Sequence, residues 1–407
     1  MIEYKHCFQT KLKKDAIKID NEKKLIVPAD KTHNFYKMSV DDYDELIEKN
    51  VTKDYKKAED NLVDEITKVD KDIATELDLG DRIYCTSKKD AYITLKDHKP
   101  SFVNKPTCRL INTTKTELGK ISKQKLSKII SEVKLKTKLQ QWKNTDSLIE
   151  WFIKLENKKR LSFIQFDLVE FYPSITEKLL INALNFAANY TEISEMDKKV
   201  ILHCRKSYLC SKNSIWVKKG ASNFDVAMGS FDGAEICDIV GLFMLSKLQN
   251  LNLNIGLYRD DGLATGFQTP RQLEIIKKKL CKIFKEHELS ITIEANKKVV
   301  NFLDVTLDLN TGLYKPYIKP NDTPVYVNKH SNHPPSILKN IPSAVNKRLS
   351  KNSANQKIFE EAIPPFQNAL NNCGYSYQMK YEPNQTTNTS NKNNHKRNII
   401  GSTPLGP

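Results

Sequence analysis

Apolar and polar residues alternate along the chain with two different periods, which separates predicted helices from predicted strands. Residues 1–80 are rich in charge, and within this range apolar residues recur every three or four positions, as in an amphipathic helix. A similar pattern runs from Glu117 to Lys158, with an expected break near Thr137. We therefore predict a helical N-terminal extension over residues 1–80 and a second helical stretch after it.

Short apolar runs in the middle of the chain are typical of buried strands, and longer periodic runs between them are typical of helices. The predicted strands are LSFIQFDLV (161–169), NIGLY (254–258) and VVNFLDVTLDL (299–309). The predicted helices cover residues 176–188, 239–249 and 359–373. Strands interleaved with helices predict an α+β fold.

The composition changes toward the end of the chain. After Thr311 the sequence is rich in Pro, Lys and Tyr, and from about residue 380 it is polar and of low complexity. Such a segment has too few apolar residues to offset the entropy of ordering. We therefore predict a disordered, basic polar tail over residues 376–407.

Net charge and cysteine usage narrow the class of protein. The 407 residues carry a formal net charge of +16, and this excess of Lys and Arg favours a polyanionic partner such as nucleic acid. No apolar run approaches the length of a membrane span. The eight cysteines form no CxxC pair, so reduced thiols of an intracellular protein are expected. His203, Cys204 and Cys210 lack a fourth zinc ligand, and residues 200–210 have the pattern of an amphipathic helix.

Two acidic positions occur at the ends of predicted strands. Asp260 and Asp261 lie between two apolar segments in GLYRDDGLAT, where they repel each other unless a cation lies between them. Asp167 ends the apolar run FIQFDLV, and Ser174 with Glu177 predicts a capping box that opens the next helix. Each position taken alone is equally typical of an Asp that caps a turn.

Together, the acidic strand ends predict a two-metal site for phosphoryl transfer. They lie about 93 residues apart, each on a short apolar strand. Mg²⁺ and Mn²⁺ prefer carboxylate oxygens, and two ions about 4 Å apart activate an attacking hydroxyl and stabilise the leaving group. Because neighbours on a strand face opposite sides, we expect Asp260 to share both ions with Asp167 and Asp261 to play a supporting role.

The order of several short motifs resembles that of reverse transcriptases. The sequence contains in turn FDLVEFY (166–172), MGS (228–230), YRDD (258–261) and NKK followed by FLDV (296–305), which is similar to motifs A to E of the reverse transcriptase palm. Closer matches to reverse transcriptases of Penelope-like retroelements are PADK (28–31), LKDHKP (95–100), FLDV (302–305) and SNHP (331–334). These matches span about residues 25–350, most of the chain.

The resemblance implies a right-hand polymerase whose palm is an antiparallel sheet backed by helices. Its fingers would occupy residues 81–160, its palm 161–310 and a thumb-like region 311–375. The basic, aromatic segment that enters this thumb suits the backbone of a nucleic-acid duplex, although a Pro-rich linker has a similar composition. Many members of the family carry a GIY-YIG endonuclease after the polymerase; no such motif is present in this sequence, which we expect to be a truncated copy or a partial gene product.

The resemblance also gives roles to single residues. Asp167, Asp260 and Asp261 correspond to the catalytic metal ligands. Tyr172 corresponds to an aromatic steric gate that excludes a 2′-hydroxyl and so selects deoxynucleotides, the alternative being a tyrosine packed in the core. Gly229 corresponds to the glycine that lets the backbone approach template and nucleotide.

Basic residues complete the predicted nucleotide site. Lys297 or Lys298 corresponds to the lysine that donates a proton to pyrophosphate. Four residues of the predicted fingers match the cations that neutralise the incoming triphosphate: Arg109, Lys96, Lys99 and Lys105. Without the resemblance, the same residues are typical of a basic loop exposed to solvent.

Two departures from the family pattern lie next to these motifs. Phe231 and Ala234 occupy positions where the family usually has proline, and the acidic residues at 232 and 235 are expected to add charge near the template. Arg259 occupies the second position of YRDD, and its cation is expected to point away from the metals or to pair with an acid such as Glu170.

The sequence as a whole predicts an RNA-directed DNA polymerase of a retroelement. It would extend a DNA primer on an RNA template with dNTPs, using two Mg²⁺ or Mn²⁺ ions, and the resemblance implies a nuclear location. Two alternatives remain open at this point. One is an RNA-dependent RNA polymerase, which shares the palm, and the other is a catalytically decayed remnant that still binds nucleic acid.

Overall fold

The structure is a computed structural model. It describes residues 17, 24–32, 34–59, 61–80, 89–97, 99, 101–113, 116–220, 223–319 and 322–383. The disordered tail predicted over residues 376–407 lies outside the described residues from position 384 onward. Residues 376–383 are described, and Met379 is buried in a small core with Leu349, Phe359 and Leu370, so the predicted start of the tail was wrong.

Helices make up much of the described chain. They are α1 (Val40–Asp54), α2 (Leu62–Glu76), α3 (Glu117–Thr137), α4 (Thr145–Lys154), α5 (Phe171–Ser174), α6 (Glu177–Ala188), α7 (Glu195–His203), α8 (Gly233–Leu248), α9 (Pro270–Glu286), α10 (Pro335–Lys351) and α11 (Gln356–Asn372). None of the described helices is both long enough and apolar enough to cross a membrane.

The strands are short and form several small sheets. They are β1 (Lys24–Pro28), β2 (Phe35–Ser39), β3 (Tyr55–Lys57), β4 (Tyr92–Leu95), β5 (Cys108–Ile111), β6 (Gln140–Gln141), β7 (Ser162–Leu168), β8 (Leu209–Ser211), β9 (Ser214–Lys218), β10 (Asn254–Tyr258), β11 (Asp261–Gly266), β12 (Ile291–Lys297), β13 (Val299–Phe302), β14 (Val305–Asp308) and β15 (Tyr314–Pro316).

The central sheet has five strands in the order β12-β7-β11-β10-β6. Its pairs are antiparallel, except that the two-residue β6 runs parallel to β10 at one edge. One face is apolar: Ile164, Phe166 and Leu168 of β7 belong to a buried core that includes residues of α6, α8 and α9. Because α8 is apolar around almost its whole circumference, it is buried in this core rather than at the surface.

The opposite face of the sheet is covered at only one end. Phe163 of β7 and Leu263 of β11 lie under a second core formed with α4 and the three-stranded sheet β13-β14-β15. Since side chains alternate along a strand, Gln165 and Asp167 point to the same face as Phe163 but beyond that cover. The acidic end of β7 is therefore left open on the side away from the backing helices.

The segment predicted as a helical extension also contains strands. Helices α1 and α2 are present as expected, but β1 and β2 form a hairpin, and β3 pairs with β9. Val27 of β1 packs in one core with Ile47 of α1 and with Ile93 and Leu95 of β4. The prediction of helix alone was wrong here because these strands are short and are buried by contacts with residues far along the chain.

The predictions for the middle of the chain are mostly confirmed. The break near Thr137 is the end of α3, where Lys138 adopts a left-handed conformation with φ of 55°. The run 299–309 forms two strands, because the chain turns at Leu303, whose φ is 52°. The helix predicted over 200–210 ends at His203, and its last residues enter β8. Strands β11 and β12 were not predicted.

The predicted capping box at Ser174 is also wrong. Helix α6 begins after Thr176, whose side chain accepts a hydrogen bond from the backbone N–H of Leu179. Ser174 instead ends the single turn α5, and its hydroxyl donates to the backbone carbonyl of Glu170 at 2.9 Å. The extra turn intervenes because the chain reverses direction at Glu170, where φ is 48°.

The last two helices pack against each other and are joined to the rest of the chain by ion pairs. Helices α10 and α11 share a small core that contains Leu349 and Phe359. Two ion pairs join α10 to other elements: Arg348 to Asp304 at 2.8 Å and Lys351 to Asp146 at 2.6 Å. The helix predicted over residues 359–373 is confirmed, since α11 covers almost all of it.

Candidate active site

The three predicted acidic residues meet at the open face of the central sheet. Asp167 near the end of β7 lies directly opposite Asp261 at the start of β11. Asp260 lies in the two-residue turn between β10 and β11, and its backbone carbonyl accepts a hydrogen bond from the N–H of Leu168 at 2.9 Å. Two apolar strands that pair in this register bring together carboxylates that are far apart in sequence.

The glycine after the acidic pair is required by packing. The ring of Phe166 lies across Gly262 on the adjacent strand, and a Cβ atom at Gly262 would be 2.1 Å from the ring Cζ. This contact lies on the apolar face of the sheet, where Phe166 also packs 5.6 Å from the ring of Phe284. It locks β11 to β7 in the register that pairs the two carboxylates.

The carboxylates repel one another in the absence of a bound cation. Burial raises the pKa of Asp261 to about 7, and the charges of Asp260 and Asp167 add to the rise. Burial and the charge of Asp260 likewise raise the pKa of Asp167, although a hydrogen bond with Asp261 opposes this. A site that disfavours its own negative charge in this way stabilises a bound cation.

The donor set fits Mg²⁺ or Mn²⁺ rather than a fully protein-coordinated metal. Within the described residues, no three His, Cys, Asp or Glu side chains are grouped so as to hold a metal by themselves. Mg²⁺ is commonly held by one or two carboxylates together with substrate phosphates and water. Asp167, Asp260 and Asp261 carry hard oxygen atoms of the kind that Mg²⁺ or Mn²⁺ prefers, on the open face of the sheet.

A cleft of about 440 Å³ adjoins the acidic residues. Asp167, Asp261 and Lys297 all line it. Lys297 also forms an ion pair with Glu294 on the same strand. Lys298, in contrast, donates to the backbone carbonyl of Lys159 at 3.0 Å and so is held elsewhere. Of the two lysines left open by the sequence, Lys297 is the one that lines the same cleft as Asp167 and Asp261.

Tyr172 lies beside the acidic turn. It is in the single helical turn α5, partly buried, with its side chain hydrogen-bonded to Cys237 of α8. Burial raises the pKa of Tyr172, and the charge of Asp260 contributes to the rise. The tyrosine that the sequence proposed as a gate is therefore held against α8 within the electrostatic field of the acidic site.

Arg259 does not pair with Glu170, which was the acid suggested from the sequence. Glu170 forms an exposed ion pair with Lys53 instead. The guanidinium of Arg259 lies 5.6 Å from the ring centroid of Tyr258. Burial lowers the pKa of Arg259, but Tyr172 and other neighbours raise it by more. Arg259 is the first residue of the hairpin turn, with φ of 54°, and Cys237 and Asp238 of α8 are among the neighbours that raise its pKa.

Gly229 occupies a conformation that other residues adopt with strain. Its φ is 110°, and a Cβ atom would lie 2.2 Å from the backbone carbonyl oxygen of Asn112. The N–H of Asn112 donates to the carbonyl of Met228 at 2.8 Å, so the residue after β5 and the loop before α8 are in direct contact. The backbone at Gly229 thus closely approaches the residue that follows β5, and its approach to template and nucleotide stays a prediction.

We expect Gly229→Ala to weaken this contact strongly. The backbone strain alone costs roughly 1–3 kcal/mol, and the clash with Asn112 adds to it. The midpoint of urea unfolding should fall, and the matched variant Gly80→Ala, which has positive φ but no atom within 4 Å of its Cβ, should fall by less. Equal losses in both variants would contradict the importance of the Asn112 contact.

The acidic residues of this loop, which were expected to add charge near the template, pair with cations of the protein itself. Asp232 is completely buried and pairs with Arg205, whose side chain is 1% exposed, and it also accepts a hydrogen bond from Ser122. Glu235 lies 3.7 Å from Lys123 of α3. Both acids point toward α3 and the end of α7, because the first turn of α8 is packed inside the protein rather than at the cleft.

The predicted fingers cations are only partly brought together. Arg109 of β5 forms an ion pair with Asp30 at 3.1 Å. Burial lowers the pKa of Lys96, and the charges of Lys99 and Arg109 lower it further, so these three cations are neighbours. No direct contact links Lys105 to them, and its side chain is exposed.

Two cations near the carboxylates were not predicted. The charges of Lys31 and Lys319 both lower the pKa of Asp261, and that of Lys31 also lowers the pKa of Asp167. Lys31 belongs to PADK, which was noted only as a family motif. The PADK motif was visible in the sequence, but the effect of Lys31 on the carboxylates depends on how the chain folds.

Comparison with known proteins supports the fold. Residues 325–380 match the family model of the animal helix-turn-helix domain, which covers α10 and α11. No curated protein matches the sequence. Two solved structures with a similar fold are telomerase from Candida albicans in complex with a TWJ fragment of telomeric RNA and apo telomerase from Candida tropicalis.

The first of these has a TM-score of 0.56 at 11% identity, over 86% of this chain and 63% of that one. The second has a TM-score of 0.53 at 10% identity, over 86% of this chain and 67% of that one. This chain thus spans a little under two thirds of the first telomerase. The α+β, right-hand polymerase fold expected from the sequence is confirmed by these likenesses.

Proposed function

We propose that this chain is an RNA-directed DNA polymerase of a retroelement, similar to the Penelope-like group. The observation that carries the proposal is the pairing of Asp167 with Asp261, with Asp260 in the adjoining turn, on the open face of a palm sheet. An acidic cluster of this kind in a polymerase fold suits the transfer of a nucleotide to a 3′-hydroxyl. Both motif order and the likeness to telomerase structures support this function.

Different residues of the chain would perform the separate steps of nucleotide addition. Asp167, Asp260 and Asp261 would hold two Mg²⁺ or Mn²⁺ ions. Such ions supply charge to stabilise the attacking and leaving oxygens. Lys297, which lines the same cleft, would donate a proton to the pyrophosphate as it leaves. Tyr172 would contact the sugar of the incoming nucleotide.

Cations on the fingers would bind the triphosphate. Arg109 offers a planar guanidinium that matches phosphate oxygens, and Lys96 and Lys99 lie near it. Burial lowers the pKa of Lys96, and the positive charges of Lys99 and Arg109 lower it further, so these cations repel one another. Binding a triphosphate between them would relieve that repulsion.

The template and primer are proposed to be nucleic acids, an RNA and a DNA respectively. One telomerase with a similar fold was solved with a fragment of telomeric RNA, and a net charge of +16 favours a polyanion. Action on a retroelement template would place the protein in the nucleus.

The experiment that tests the function is primer extension. The full chain is supplied with a DNA primer on an RNA template, dNTPs and Mg²⁺ or Mn²⁺. Extension with dNTPs supports the proposal. Extension with rNTPs in preference to dNTPs would indicate an RNA-dependent RNA polymerase, and binding of primer–template without extension would indicate a decayed remnant.

We expect Tyr172→Ala to relax the choice of sugar. Removing the ring opens space beside the 2′ position, and a pocket contact of this size discriminates by about 10- to 200-fold. The ratio of kcat/KM for dCTP to that for CTP should fall by this factor, whereas Tyr190→Ala, a partly buried tyrosine after α6, should leave the ratio unchanged. An unchanged ratio in Tyr172→Ala would exclude the gate.

A further inference from the structure

Helix α9 packs on the apolar face of the central sheet and presents its other side to solvent. Leu273, Leu280 and Phe284 are completely buried in the core that includes β7, and the ring of Phe284 lies 5.6 Å from that of Phe166. With 3.6 residues per turn, these three buried positions lie on one side of the helix. The opposite side of α9 therefore faces away from the sheet.

This outward side of α9 is strongly basic. The helix contains six basic residues and two acidic residues, Glu274 and Glu286. Successive helical residues are rotated by about 100°, so four of the cations fall within a sector of about 60° on the side opposite the buried residues. All four are exposed, and they are called here the α9 basic stripe: Arg271, Lys278, Lys282 and Lys285.

The protein itself neutralises little of the charge on the α9 basic stripe. Glu274 pairs with Lys277, which lies beside the stripe, at 3.8 Å, and Glu286 lies 4.0 Å from Lys282. Both acids are more than half exposed, and ion pairs of this kind are weak. The other three cations of the stripe form no ion pair with any residue that the structure describes. Most of the positive charge therefore remains available to an anionic ligand.

A further cation lies near the C-terminal end of α9. Lys247, an exposed residue in the last turn of α8, lies 4.9 Å from the ring centroid of Phe243, and this ring lies 5.0 Å from that of His287. Burial lowers the pKa of His287, and the charge of Lys247 lowers it further, whereas that of Glu286 opposes the change. The positive surface thus continues from α9 to the end of α8.

The shape and composition of this surface suit the backbone of a nucleic acid. From Arg271 to Lys285 the helix rises by about 21 Å, and one strand of a duplex presents a phosphate about every 3.4 Å along its axis. Ile275, which is 49% exposed, is the only large hydrophobic residue of α9 that is exposed. A surface with so little apolar area lacks the core of a protein interface and the apolar face of a membrane-bound helix.

The α9 basic stripe is well separated from the acidic site. Asp167 and Phe166 are neighbours on β7, so their side chains point to opposite faces of the central sheet. Since α9 packs on the face of Phe166, the sheet and the body of α9 lie between the carboxylates and the stripe. A nucleic acid bound to the stripe would contact the protein outside the active site.

We propose that the α9 basic stripe, together with Lys247, is a second nucleic-acid surface that binds the phosphate backbone of the template RNA where it extends beyond the cleft. Because the contacts are made to phosphates, binding should not depend on the base sequence. The inference rests on the proposed function for the identity of the RNA as the template. The surface would keep a long RNA attached to the protein while the cleft holds a short duplex.

The test is equilibrium binding of two primer–templates to the full chain. One has an RNA template that is short and fully paired, and the other has the same duplex with a long single-stranded 5′ extension of the RNA. Lys278→Gln combined with Lys282→Gln should weaken binding of the extended template by about 10- to 30-fold near 0.1 M salt, as expected for the loss of two phosphate contacts. The slope of log affinity against log salt should fall by about 1.4. The short primer–template should be bound as before.

Matched variants separate the position of the charges from their number. Lys49→Gln combined with Lys68→Gln removes the same charge from exposed positions of α1 and α2, and should leave both affinities unchanged. Lys278→Arg combined with Lys282→Arg keeps the charge and should bind the extended template within about threefold of the unmodified chain. Equal losses in the two glutamine variants would show that net charge alone matters, and would overturn the proposal.

Vesicles of phosphatidylcholine and phosphatidylserine test a membrane as the alternative ligand. If Lys278→Gln combined with Lys282→Gln lost affinity for these vesicles but not for the extended RNA, the surface would bind a membrane and the proposal would be overturned. Urea unfolding should have the same midpoint in all variants, because every substituted side chain is exposed.

The outcomes also distinguish this proposal from the proposed function. If the unmodified chain binds the extended RNA through Lys278 and Lys282 but does not extend a primer, the polymerase function fails while the α9 surface stands. If the unmodified chain extends primers and the glutamine variant binds the extended template equally well, the α9 surface fails while the function stands.

Discussion

Asp260→Asn should abolish primer extension, with a fall in kcat of at least about 10³-fold, because metal ions in such sites stabilise the transition state by several kcal/mol. Asparagine keeps the size and shape of the side chain but removes the charge that divalent ions require. The carbonyl of Asp260 that accepts from Leu168 belongs to the backbone and is retained. The loss should therefore arise from chemistry rather than from unfolding.

Binding and stability measurements complete this experiment. Asp260→Asn should bind primer–template at least as tightly as the unmodified chain, since removing a negative charge does not weaken attraction to phosphate. Asp72→Asn, which removes an exposed carboxylate from α2, serves as the matched control and should extend normally. Full extension by Asp260→Asn would rule out the acidic turn as the metal site.

Asp232→Leu should destabilise the protein by about 3–5 kcal/mol, the usual cost of leaving one partner of a buried ion pair without the other. Arg205 and Asp232 are 1% and 0% exposed, so neither charge is solvated if its partner is removed. Two nitrogens of Arg205 already have no hydrogen-bond partner among the described residues. The loss should appear as a lower midpoint of urea unfolding with an unchanged slope.

The double variant tests whether the loss of stability comes from the unpaired charge or from altered packing. Arg205→Met combined with Asp232→Leu replaces the pair by apolar groups and should recover much of the lost stability. Glu195→Gln breaks an exposed ion pair with Lys198 and should leave the midpoint almost unchanged. If the double variant were no more stable than Asp232→Leu, the cost would lie in packing and not in an unpaired charge.

Much of the acidic site could be predicted because its signals are local. An apolar strand that ends in Asp167 and an acidic pair between two apolar runs are visible without any contact information. Pairing of β7 with β11 then brings the carboxylates together, as two-metal chemistry requires. The family order of motifs strengthened this interpretation, since each motif alone is short.

Other features were predicted wrongly because they depend on contacts across the fold. Asp232 was expected to add charge near the template, yet it is buried against Arg205, 27 residues before it. Arg259 was expected to point away from the metals or to pair with an acid such as Glu170, and in the structure Glu170 pairs with Lys53 instead. Charge alone does not reveal whether a side chain points outward or inward, because this depends on which helix packs over it.

The sequence by itself determined the alternation of strands and helices, the acidic strand ends and the basic character of the chain. These features depend on hydrophobic periodicity and charge, which can be recognised from residues that are close in sequence. Only the tertiary structure decided that Lys297 and not Lys298 lines the cleft, that Asp30 holds Arg109, and that the charge of Lys31 acts on the carboxylates. Asp30 and Arg109 are 79 residues apart in the sequence. Their meeting depends on how β1, β4 and β5 pack, which no local pattern specifies.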